Sequence, residues 1–148
     1  MNGTRKRRLS ALLIVLIALT LCFIWGNSLL DREESAEISG GLMQWITELG
    51  IPMEDDLPLR KLAHFVEFGL LGCELALLIR LRRGLDRSGV ILAACAAFFA
   101  AAADETIQHF SGRSAEVSDV LLDLSGALTG ILLIACLIFR KRKRTGTT

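Results

Sequence analysis

The sequence predicts an all-α fold: an integral membrane bundle of four transmembrane helices, with a short amphipathic outer segment and both termini cytoplasmic. Three observations predict it. Of 148 residues, 52% are hydrophobic, far too many for a disordered chain and unusual for a soluble one. The apolar residues gather into four runs, at about 9–25, 62–79, 90–109 and 120–139, each near the roughly 20 residues that cross a bilayer. The basic residues flank these runs in an alternating pattern that only four crossings satisfy. A chain of this length is read as one domain over 1–148.

The first run, from Leu9 to Trp25, is almost wholly Leu, Ile, Ala and Val. Its length, and the lack of a small-x-small exit, favour an uncleaved anchor over a removed signal peptide. An acidic stretch follows, broken by Asn27, Ser28, Ser35, Ser39, Gly40 and Gly41. Leu42, Met43, Trp45, Ile46 and Leu49 then recur at helical spacing, which predicts a short amphipathic helix on the outer surface or capping the bundle. Gly50 and Pro52 end it. The second run carries His64, Glu67 and Glu74, and the third is rich in alanine and ends in Asp104 and Glu105. The fourth has Asp123 near its start, followed by Gly126 and Gly130 in a small-xxx-small pattern that lets helices approach closely.

The second and third runs are weak by hydropathy, because each holds charge. The flanking cations decide the matter. Arg5, Lys6, Arg7 and Arg8 precede the first run; Arg80, Arg82, Arg83 and Arg87 lie between the second and third; Arg140, Lys141, Arg142, Lys143 and Arg144 follow the fourth. These thirteen of the 17 basic residues fall on one side only if all four runs cross, and the positive-inside rule makes that side cytoplasmic. The basic tails are topology determinants and headgroup contacts rather than a nucleic-acid surface, since they are short and abut the spans. Cys22, Cys73, Cys95 and Cys136 lack CxxC spacing and sit in apolar runs, which predicts small buried side chains and neither disulfides nor metal ligands.

Alternating helix direction gathers polar residues from distant segments at one depth. Lys61, His64 and Glu67 share a face of the second span at i, i+3 steps; Asp104 and Gln108, like Asp119 and Asp123, are i, i+4. Arg113 lies in the outer loop between them. A charge inside a span costs on the order of 3 kcal/mol even on permissive scales, so such groups persist when they pair or line a wet cavity. The expected site is therefore an outer-half chamber that binds a headgroup. The alternatives are an intramembrane enzyme acting on such a headgroup, or a structural or interaction protein whose polar cluster pairs with itself to fix helix register. His64 and Glu105 are the chamber's candidate acid/base pair, and Lys61, Glu67, Asp104, Gln108, Arg113, Asp119 and Asp123 its candidate ligand-binding residues, suited to a polar or anionic headgroup from the outer leaflet. A divalent metal on His64 with Glu67, Glu105 or the two aspartates fits the donor types. No HExxH, GxSxG or P-loop is present, so residue types leave catalysis, metal, cofactor and oligomeric state open. Glu74 lies about 10 Å deeper than Glu67 and is expected to be neutral or bonded to another span.

Three stretches carry a family resemblance: Arg60-Lys61-Leu-Ala-His64-Phe-Val-Glu67-Phe68-Gly-Leu-Leu-Gly72, Asp104-Glu105-Thr-Ile-Gln108-His-Phe-Ser-Gly-Arg113, and Asp119-Val-Leu-Leu-Asp123-Leu-Ser-Gly126. Together with Asn27, Ser28, Ser35 and Ser39 after the first span, they resemble the VanZ-like membrane proteins over most of the chain. Phe68 stands where those proteins commonly have Tyr, and Asp123 where Asn is frequent. The resemblance implies a bacterial cell-envelope protein of four membrane helices. It also implies a link to resistance against the glycopeptide teicoplanin, and membrane lipids or lipid-linked cell-wall intermediates as partners.

Overall fold

The computed structural model describes residues 2–30, 40–41, 48, 57–112 and 116–144. They form four long helices: α1 Gly3–Leu29, α2 Leu57–Arg83, α3 Arg87–Phe110 and α4 Val117–Arg144. All four are long and apolar enough to cross a membrane. Each outruns its apolar stretch in the sequence. Arg and Lys are good helix formers, and backbone groups near lipid must be bonded within the helix, so the basic arms and polar ends continue the same coil. The surface helix expected around Leu42, Met43, Trp45, Ile46 and Leu49 lies outside the described residues.

Turn chemistry separates α2 from α3. Gly84, at φ +88, ends α2 with its amide on the Arg80 carbonyl at 3.1 Å. A residue with a Cβ rarely takes that backbone conformation. Asp86 then caps α3, its side chain accepting from the Gly89 amide at 2.8 Å and from the Ser88 hydroxyl at 3.0 Å. This exposed carboxylate lies outside the spans, and the Gly89 bond above all holds it below the ordinary Asp range.

The most extensive packing joins α2 and α4. It is a contact of backbone on backbone, because glycines face it from both sides. A Cβ on Gly72 would overlap the Ala127 carbonyl, one on Gly126 the Phe65 carbonyl, and one on Gly130 the Gly69 carbonyl. α3 contributes Ala93, Ala97 and Ala101, all fully buried at four-residue spacing. α1 packs against α2 and α3. Two apolar clusters result. Ile24, Phe68, Leu71, Ala97, Ala101 and Ala127 fill one half, and Ala76, Ile79, Leu85, Ala93, Ile131 and Ala135 the other.

The helices alternate in direction. Lys6 donates to the Arg82 carbonyl at 3.3 Å, which puts the start of α1 beside the end of α2. Leu85 packs in one cluster with Ala135 and beside Ile138, which brings the end of α4 there too. The three basic segments thus share one end of the bundle. Its outer surface exposes Leu12, Leu19, Phe23, Ile91, Phe99, Leu132 and Leu137, as a lipid-facing surface requires.

The cysteine expectation needs a correction. None forms a disulfide, but Cys22, Cys95 and Cys136 are exposed on the bundle surface. Only Cys73 is partly buried, its thiol on the Gly130 carbonyl at 3.5 Å. Helices in lipid are apolar on outward and inward faces alike, so an apolar run does not fix which way a thiol points.

Candidate functional site

At the end remote from the basic segments, polar side chains from all four helices converge. His64 stands two turns into α2 and Asp123 nearly two turns into α4, each about 10 Å along its helix at 1.5 Å per residue. Asp104 comes from the last two turns of α3, which runs the opposite way. Its side chain is fully buried, and that of Asp123 is 3% exposed. His64 Nδ1 lies between them, 3.7 Å from Asp104 Oδ2 and 3.8 Å from Asp123 Oδ1. One ligand atom from each of the three falls within 4.8 Å of the others.

Asp104 is firmly held. Ser28 Oγ donates to its Oδ1 at 2.6 Å, and Gln108 Nε2 donates to its Oδ2 at 2.7 Å. The Gln108 amide also reaches Ser28 Oγ at 3.4 Å. Two neutral donors on a buried carboxylate fix its plane and aim one oxygen at His64. Ser28 was not among the site residues expected from sequence. Asn27 and Ser28 read as the start of a loop, whereas α1 continues through both. The available signal was their depth, level with the polar end of α3.

Other expected residues sit around this centre. Lys61 pairs with Asp119 at 2.9 Å, on side chains 39% and 28% exposed, which makes the pair a rim feature. Asp119 lies in the first turn of α4, where a negative charge suits the helix dipole. Glu67 faces the Asn27 side chain and senses the charge of Asp104. Its Oε2 is buried with no hydrogen bond among the described residues. Glu105 is buried but turned aside: its Oε1 accepts from the Glu116 backbone amide at the start of α4. Glu105 follows Asp104 by one residue, a rotation of about 100° around the helix, so the two carboxylates serve different neighbours. Arg113 lies outside the described residues.

Deeper in the bundle, Thr20 of α1 donates to Glu74 Oε1 at 3.1 Å. The bond to another span expected of Glu74 is formed.

Three helices of this bundle bear the Lys-x-x-His-x-x-Glu, Asp-Glu-x-x-Gln and Asp-x-x-x-Asp elements, and from them His64, Asp104, Gln108 and Asp123 meet at a single centre. The sequence model of the VanZ/LLP1 family matches residues 9–140. The chain belongs to the VanZ/LLP1 family. The match runs from early in α1 to the last turns of α4, so it includes every helix that builds the centre. No curated protein and no solved structure matches this VanZ/LLP1 chain.

Proposed function

We propose that this VanZ/LLP1 protein is a bacterial cell-envelope protein whose polar chamber faces the outer leaflet and binds a lipid or lipid-linked headgroup. Such binding would alter susceptibility to teicoplanin, a glycopeptide that acts outside the membrane. The observation that carries the reading is the centre formed by Ser28, His64, Asp104, Gln108 and Asp123, in which Asp104 and Asp123 are buried in a membrane bundle. Pure helix association is achieved at the α2–α4 glycine face without any charge. Buried carboxylates are expensive in hydrocarbon and mark binding or transport sites. The basic segments support the orientation: they share the opposite end, and cytoplasmic placement of that end turns the chamber outward. Lys61, at the rim, supplies a cation for a phosphate or carboxylate.

An enzymatic reading is favoured by one observation, the placement of His64 Nδ1 between two carboxylates, which are the parts of an acid/base relay. Retention of lipid-linked cell-wall intermediates by protein in nanodiscs, followed by native mass spectrometry, separates the readings. A binder retains the ligand unchanged and loses it in Lys61→Ala. An enzyme releases a product of altered mass, and His64→Gln retains the unaltered ligand. Retention of no lipid beyond bulk composition overturns both. A thiol placed at Ser111 should label from outside intact cells and one at Ser88 only after permeabilisation; the reverse pattern overturns the orientation.

A further inference from the structure

We infer that His64 Nδ1, one oxygen of Asp104 and one of Asp123 bind a divalent transition-metal ion, zinc or manganese by donor type, which presents open coordination positions to an oxyanion. The ion site stands on its own geometry. Its oxyanion partner rests on the headgroup reading given above.

The geometry is near what an ion needs. Zinc holds nitrogen and oxygen ligands at roughly 2.0–2.2 Å, so ligand atoms around one ion stand roughly 3–3.6 Å apart. The imidazole nitrogen lies 3.7 and 3.8 Å from the two carboxylate oxygens, and one ligand atom from each residue falls within 4.8 Å of the others. Side-chain movements of roughly 1 Å close the shell. The three ligands come from α2, α3 and α4, so the packed bundle holds them in place.

A second observation points to a cation. Asp123 is 2% exposed, and no hydrogen bond reaches its carboxylate among the described residues. Its Oδ1 faces His64 Nδ1 at a distance too long for a hydrogen bond. A buried carboxylate normally has donors. Lys61 is engaged elsewhere, with Asp119 at 2.9 Å.

Charge and outer contacts agree. Two carboxylates and an imidazole match a dication in charge when both aspartates are ionised. The Ser28 and Gln108 bonds on Asp104 are the kind of outer contact that aims a metal ligand. A mixed nitrogen and oxygen set favours zinc or manganese over calcium or magnesium, which take oxygens. Three protein ligands leave room for an exogenous oxygen, as at catalytic rather than structural sites. A phosphate oxygen suits that position, whether from a lipid headgroup or from free phosphate.

The test uses the full chain in nanodiscs, stripped with chelator and dialysed against zinc or manganese. Elemental analysis should find one ion per chain. His64→Gln and Asp123→Asn should fall to the level of empty nanodiscs, and Ser28→Ala, which loosens a ligand without removing one, should weaken binding about 10–100-fold. Cobalt substituted for the native ion should give a visible d–d spectrum that His64→Gln loses, a readout independent of metal content. Wild type retaining no more ion than His64→Gln or Asp123→Asn, or a cobalt spectrum unchanged in His64→Gln, overturns the site. With manganese loaded, phosphorus NMR identifies the oxyanion. Broadening of phosphatidylglycerol in the nanodisc marks a lipid headgroup, and broadening of added inorganic phosphate alone marks the free ion. A stoichiometric ion that broadens neither signal preserves the metal site and overturns the headgroup reading. Lipid retention equal in stripped and loaded protein preserves the headgroup reading and overturns the metal's part in it.

Discussion

Ser28 Oγ donates to Asp104 Oδ1 across 2.6 Å, joining the last turn of α1 to the polar end of α3 over 76 residues of chain. Removing the hydroxyl takes one donor from the buried carboxylate, while Gln108 still holds Oδ2 at 2.7 Å. Ser28→Ala should therefore destabilise the bundle by about 1–3 kcal/mol, the loss for a buried acceptor deprived of its donor. Ser28→Thr, which keeps a hydroxyl, should recover part of it. Reversible unfolding in mixed detergent micelles measures both.

The α2–α4 contact gives a prediction with an internal control. Gly72→Ala and Gly130→Ala would drive a methyl group into carbonyls of the facing backbone, which no rotamer change relieves. Each should destabilise by about 1–3 kcal/mol, as overpacking does. Gly26 has nothing near its missing Cβ, so Gly26→Ala should be neutral or slightly stabilising. Comparable losses at all three positions, or gains at all three, would show that the close α2–α4 approach does not govern the glycines.

The rim pair is expected to separate stability from binding. Lys61 and Asp119 are 2.9 Å apart but 39% and 28% exposed, so solvent screens much of their attraction. Lys61→Met should change stability by under about 1 kcal/mol. Retention of an anionic lipid should fall several-fold, and the deficit should shrink at high salt. Parallel unfolding and lipid-retention measurements on one preparation decide this.

Asp86 predicts a pH dependence. Its carboxylate is held below the ordinary range by the Gly89 amide first, and also by the Ser88 hydroxyl. A depressed folded-state value means the ionised form favours the folded chain. The contribution is complete above the ordinary carboxylate range and disappears as pH falls through the lowered value. Asp86→Ala should therefore be less stable than wild type at neutral pH, and the two should converge in acid. Thermal unfolding across an acid series measures the convergence.

Much of the architecture was legible because charge marks topology. The thirteen flanking cations identify α2 and α3 as spans where hydropathy wavers, and the four helices follow. His64, Asp104 and Asp123 were legible as neighbours from depth and helical phase alone. Ser28 was not, because a fall in hydropathy at Gly26, Asn27 and Ser28 looks like the end of a span. The helix continues through them, since its backbone must stay bonded and Asp104 offers the hydroxyl a partner. Glu105 shows a different limit. Sequence places it beside Asp104, but helical rotation turns it to the Glu116 amide, so one oxygen of the expected acid/base residue anchors α4. Outward and inward cysteines were indistinguishable for the reason that lipid and core are alike to a thiol.

The distribution of buried acids bears on how the chain enters a membrane at all. α1 carries no Asp or Glu and can partition into lipid as it emerges. α2 brings Glu67 and Glu74, and α3 brings Asp104 and Glu105, and each of the four also meets a group from outside its own helix. Glu74 finds Thr20 on a helix already made, whereas Glu105 waits for the amide of Glu116, synthesised later. Insertion of α2 and α3 is thereby expected to be coupled to their association with the rest of the bundle, because the acids they carry are costly in hydrocarbon until neighbouring helices meet them.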